Sequence, residues 1–86
     1  MLRMMNQVML IGKIKDLWPD SVILEAQVST HDKRIIIPVY ITEIMRSNIG
    51  EHANVGDVIG VKGYLNSEHG CVKVIGEKIT LLTNRA

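Results

Sequence analysis

Apolar and polar residues alternate along most of this chain, and the stretches in which they do so mark strands. In residues 6–15, NQVMLIGKIK, Val8, Leu10 and Ile14 share one parity with Gly12, the period-two pattern of a half-buried strand. A glycine within such a pattern marks a bend or a bulge. Residues 17–21, LWPDS, read as a turn. Residues 22–30, VILEAQVST, alternate again. Val22, Leu24, Ala26 and Val28 point inward, and Ile23, Glu25, Gln27 and Ser29 outward, as in a sheet with one wet face.

After a turn at HDK comes KRIIIPVYI, residues 33–41. Ile35, Ile37, Val39 and Ile41 take the buried parity; Arg34, Ile36, Pro38 and Tyr40 take the other. Pro38 has no N–H for a ladder, so this strand has to offer an edge there. Period two then gives way to TEIMRSNIGEHA, where Ile44, Met45 and Ile49 recur at helical spacing. Thr42 suits the N-cap and Glu43 the positive end of the helix dipole, which predicts a helix of two to three turns. NVGD (54–57) is a turn. VIGVKGYLN follows, with Ile59, Val61 and Leu65 inward and Val58, Lys62 and Tyr64 outward. SEHG closes a hairpin, and CVKVIGEKITLLT supplies the last strand.

The order β-β-β-α-β-β predicts an all-β fold: a five-stranded Greek-key OB-fold barrel with one short helix between strands 3 and 4 plugging one end. Such a barrel is partly open where the third strand meets the last, which is where Pro38 is expected, its face turned outward.

Composition narrows the function. With 86 residues the chain is expected to form one domain, residues 1–86, with a core from about 5 to 83. A hydrophobic content of 47% and a mean hydropathy of +0.15 belong to a folded globule. No apolar run reaches the length of a membrane span and no cleavable leader pattern opens the chain. A single cysteine makes no internal disulfide, so a reducing cytoplasm is the expected location. The net charge of +1 speaks against a strongly electrostatic nucleic-acid binder, though the arrangement of cations matters more than their total. There is no Phe, one Trp and two Tyr, so stacking platforms are few.

Two phrases carry a family resemblance. NQVMLIGKI (6–14) resembles the opening strand of the bacterial single-stranded DNA-binding protein family, an Asn before alternating aliphatics and a Leu-Ile-Gly-basic step. GDVIGVKGYL (56–65) is similar to the family's fourth strand, and IPVYITEI to its third-strand exit, where an aromatic precedes the plug helix. The resemblance spans about residues 5 to 83. It implies non-catalytic binding of single-stranded DNA by paired or tetrameric OB-folds serving replication, repair, restart or recombination, with replication or primosome proteins as further partners. By the same resemblance Tyr40 falls where the family stacks a Phe or Trp, and Arg34 where it often places another aromatic. A guanidinium can also stack on a base. The chain departs from the family in a hairpin cut to SEHG, where the family carries a long arm, a trimmed HDK loop, and an ending LLTNRA without an acidic tail. By this resemblance it is expected to be a short form of the family, lacking the long hairpin arm and the acidic tail.

Arg34, Tyr40, Lys62, Tyr64 and Lys73 share outward parity, and Trp18 lies in the first loop. These six are the candidate nucleic-acid contacts. The alternative for the five is an ordinary solvated sheet face, and for Trp18 a turn residue resting on the barrel end. Exposed Ile36 and Val58 on the same parity ask to be covered. Met4, Met5 and Met9, if they lie outside the barrel, make the first strand a sticky edge and imply a homodimer or homotetramer. His69 and Cys71 lack the further ligands zinc needs, His31 and His52 being on distant loops, so neither metal nor cofactor is expected. No nucleophile–base pair, carboxylate pair or phosphate-cradling loop stands at useful spacing, and the chain does not read as an enzyme. A second reading stays open: a small OB-fold scaffold for proteins, resembling a primosomal component, with little or no nucleic-acid binding.

Overall fold

The computed structural model describes residues 6–27 and 33–83. Val28, Met4, Met5 and His31 lie outside them. The alternating stretches form β1 (Val8–Leu17), β2 (Ser21–Gln27), β3 (Arg34–Tyr40), β4 (Val58–Glu68) and β5 (Cys71–Leu81), with α1 (Glu43–His52) between β3 and β4. The strands close a barrel in the order β1-β2-β3-β5-β4. This is the five-stranded Greek-key OB-fold barrel the alternation predicts, with its one short helix in the expected place.

The helix begins where Thr42 Oγ1 accepts the N–H of Met45, with Glu43 in the first turn. It runs 10 residues to His52 and sends Ile49, followed by the cap residue Ala53, into the core. There they meet Ile14, Val22, Leu24, Val39, Ile59, Val61 and Val74, one or two residues from each strand. Met45 is half-buried, but Ile44 is 75% exposed. Expected to share the helix's apolar stripe, it instead stands on the solvent side.

β1 is paired on both sides, with β4 from Val8↔Gly63 to Lys13↔Val58 and with β2 from Gly12↔Ala26 to Leu17↔Val22. The irregularity foreseen near Gly12 falls between Ile14 and Asp16, where Lys15 is the extra residue. The Asn54–Asp57 turn docks there: Ile14 N–H donates to the Asp57 carbonyl and Gly56 N–H to that of Ile14, both at 2.8 Å. Because both its sides are paired, β1 offers a face and not the sticky edge expected of it.

β3 pairs with β2 along its whole length, Arg34↔Gln27 to Tyr40↔Ser21. With β5, among the described residues, it pairs only through Val39↔Val74 and Tyr40↔Ile75. Pro38 stands where that short parallel contact stops. In an antiparallel pair alternate residues aim their N–H away from the partner. A proline therefore leaves the β2–β3 ladder whole only if its missing donor faces the β5 side. That side is the open seam, as the sequence predicts.

Three inward or outward assignments are corrected. Ile35 and Leu65 have the buried parity but are exposed. Ile35 belongs to the part of β3 that β5 never reaches. Leu65 lies past Gly63, the last β4 residue paired with β1, where β4 and β5 continue as a two-stranded ribbon. Ile23 has the outward parity but is only 7% exposed, flanked by Asp16 and Pro38 of the adjoining strands.

Candidate nucleic-acid interface

Register decides which of the six candidates meet. On the outer surface Tyr40 pairs with Ile75 and Ile75 with Tyr64, so one row across β3, β5 and β4 reads Tyr40–Ile75–Tyr64. With strands about 4.8 Å apart, the two tyrosines are anchored roughly 10 Å from each other, and both are half-buried. Lys73, two residues before Ile75 on the same face, holds its ammonium 4.7 Å from the centroid of the Tyr40 ring. Its Nζ also donates to Glu68 Oε2 at 3.2 Å. Glu68 is the main reason the Lys73 pKa is raised above the ordinary lysine value; slight burial opposes this, and Tyr40 and Asp20 add to it.

Below this row the unpaired part of the seam opens as a cleft of about 420 Å³. Ile37, Pro38, Leu65 and Val72 line it, and Tyr40 and Lys73 stand at it.

The other candidates are dispersed. Arg34 Nη1 donates to Glu25 Oε1 at 3.0 Å, and Lys15 stands 3.4 Å from the same carboxylate. Arg34 foremost, then Lys15, holds the Glu25 carboxyl below the usual glutamate range. Lys62 does not join Tyr40. It sits in the next row along β4 and β5, Met9–Lys62–Lys78, which runs onto the β1 wall. That wall carries Met9, 77% exposed, and Ile11, 68% exposed, beside a groove of about 390 Å³. Trp18 is 51% exposed, and its indole N–H donates to Asp16 Oδ2 at 2.9 Å. Its turn returns to β2, where Trp18 N–H donates to the Ser21 carbonyl at 2.9 Å, and Ser21 is the partner of Tyr40. Ile36 is exposed as expected, whereas Val58 is half-covered.

Sequence reasoning missed Arg46, Lys15 and Lys78. Arg46 Nε donates to the Trp18 carbonyl at 2.6 Å and so ties α1 to the β1–β2 turn; a contact across 28 positions leaves no local trace. Lys15 and Lys78 were within reach of the alternation argument, had the bulges beside them been located. Among the described residues no group of three or more His, Cys, Asp and Glu side chains is placed to hold a metal ion. No helix among them is long and apolar enough to cross a membrane.

No family model and no curated protein sequence matches the chain. Solved structures do. The mitochondrial single-stranded DNA binding protein Rim1 of S. cerevisiae superposes with a TM-score of 0.78 at 13% identity, over 94% of this chain and 97% of that one. The N-terminal domain of the PriB protein from Thermoanaerobacter tencongensis, described as dimeric, gives 0.69 at 22%, over 92% and 98%. The S. pombe Stn1–Ten1 complex gives 0.64 at 18%, over 93% of this chain and 60% of its match. At these identities the likeness establishes the OB-fold.

Proposed function

We propose that the protein binds single-stranded DNA with little sequence preference, without catalysis, through the outer row of β3, β5 and β4. The observation that carries this reading is Tyr40 and Tyr64 in one row either side of Ile75, with the Lys73 ammonium over the Tyr40 ring. Aromatic faces stack bases of any identity, and a cation beside them meets the phosphates. Rim1, one of the similar folds, is named for binding single-stranded DNA. Arg34 and Trp18 extend the path along β3 and onto the β1–β2 turn. Replication, repair, restart or recombination in the cytoplasm is the setting this reading carries.

The test is titration of a 30-mer of dT, followed by tryptophan fluorescence and anisotropy at low and high salt. Binding that weakens with salt is expected, and Tyr40→Ala should cost about 1–3 kcal/mol. A Tyr40→Ala variant that binds as well as the parent removes Tyr40 from the interface. No response at tens of micromolar protein and low salt leaves the protein-binding scaffold, for which the apolar cleft at the seam and exposed Val72 speak.

The same reading includes self-association as a dimer or tetramer through the outer face of β1, where Met9 and Ile11 expose apolar surface that a second copy would cover. A Met9→Lys variant should then sediment as a monomer.

A further inference from the structure

The Glu68–Lys73 pair sits inside the proposed interface, and it puts a carboxylate where a phosphate would go. The register makes the two residues neighbours. The two-residue turn at His69 and Gly70 sets Glu68 opposite Cys71, and Asn66 opposite Lys73. Glu68 and Lys73 are therefore diagonal neighbours on one face of the ribbon, a separation long side chains bridge. The Lys73 ammonium is thus already engaged twice, by Glu68 Oε2 at 3.2 Å and by the Tyr40 ring at 4.7 Å. Glu68 is well exposed and contributes nothing to the core.

We propose that Glu68 is an internal competitor for the nucleic-acid phosphate: its carboxylate occupies Lys73 in the free protein and must be released before Lys73 meets the strand, so that Glu68 sets the affinity and salt dependence of binding. This rests on the reading of the Tyr40–Lys73–Tyr64 row as a single-stranded DNA site. The raised Lys73 pKa reports the same pairing. An exposed ion pair of this kind is weak enough for a polyanion to displace, yet strong enough to register in affinity.

The experiment is a double-mutant cycle with the full chain: wild type, Glu68→Gln, Lys73→Gln and the double variant, each titrated with the dT 30-mer across a salt series. Glu68→Gln is expected to tighten binding by roughly two- to fivefold at low salt. It should also steepen the slope of log affinity against log salt, by less than the roughly 0.7 of a whole phosphate contact on a single strand. Salt weakens the competing ion pair and so relieves the wild type most at high salt. In the Lys73→Gln background the same change should have less than about a twofold effect, because the competitor then has nothing to hold. An equal gain in both backgrounds would show a general loss of negative charge and overturn the proposal. Wild-type binding that Glu68→Gln leaves unchanged overturns it too, while the DNA-binding reading stands. If none of the four proteins binds, both fall.

Discussion

The side-chain amide of Asn6 closes both main-chain positions of Leu65: its Nδ2 donates to the Leu65 carbonyl at 2.6 Å, and its Oδ1 accepts the Leu65 N–H at 2.9 Å. The β1–β4 ladder ends at Val8↔Gly63. Asn6 therefore acts as one more rung, built from a side chain, between residues 59 positions apart. Asn6→Ala is expected to lower stability by about 1–2 kcal/mol, the usual value of two such bonds. Urea denaturation checks this, and Asn6→Asp, which turns the donor into an acceptor facing a carbonyl, should be at least as costly.

Gly63 pairs with Gly76 where the β4–β5 register shifts. A Cβ at Gly63 would be driven into the main-chain carbonyl of Ile75, which cannot step aside. Gly63→Ala should therefore cost about 3 kcal/mol or more. At Gly60 the added methyl meets only the Leu82 side chain, at 3.5 Å. Gly60→Ala should stay within about 0.5 kcal/mol of wild type. Melting both variants side by side tests the contrast.

The hairpin turn has φ of 53° at His69 and 80° at Gly70. Two positive values in succession define a type I′ turn, the one matched to strand twist. Gly70→Ala should destabilise by about 1–2 kcal/mol through left-handed backbone strain. His69→Asn, which favours that region, should hold or raise the melting temperature.

Acid should act through Glu25. Arg34 and Lys15 lower its folded pKa. The bound carboxylate thus adds stability above the ordinary glutamate pKa, and this is lost as pH falls through the lowered folded value. Glu25→Gln should be less stable than wild type at neutral pH, and the difference should close on acidification. A gap that persists in strong acid would assign the effect to packing.

Lys73 and Lys62 separate the Tyr40 row from the Met9 row. Lys73→Gln should flatten the salt dependence of dT binding by about 0.7 in the logarithmic slope. Lys62→Gln, on the Met9 wall, should change it less. Equal effects would mean the strand covers both rows.

Much of this architecture was legible because alternation reports the face of each residue. Thr42, Pro38 and the order of elements could be read directly. Alternation does not report how far closure extends. Ile35 and Leu65 carry the buried parity beyond the points where β5 and β1 supply a roof, and nothing local marks those points. Ile23 shows the reverse, an outward residue covered by neighbours from two other strands. The site was legible to the same degree. Tyr40, Tyr64 and Lys73 share a parity, but their meeting depends on a register set by the His69–Gly70 turn and on the short β3–β5 contact. Lys62 shares that parity but falls in the next row, with Met9 and Lys78.

Pro38 also bears on what happens when many copies crowd together. A strand with an unfilled side is a template on which a foreign chain can lengthen a sheet. Any newcomer laid along this side of Arg34–Tyr40 meets, in the middle, a nitrogen with no hydrogen to offer. The same residue that keeps the barrel from zipping shut thereby makes its gap a poor seed for fibre growth.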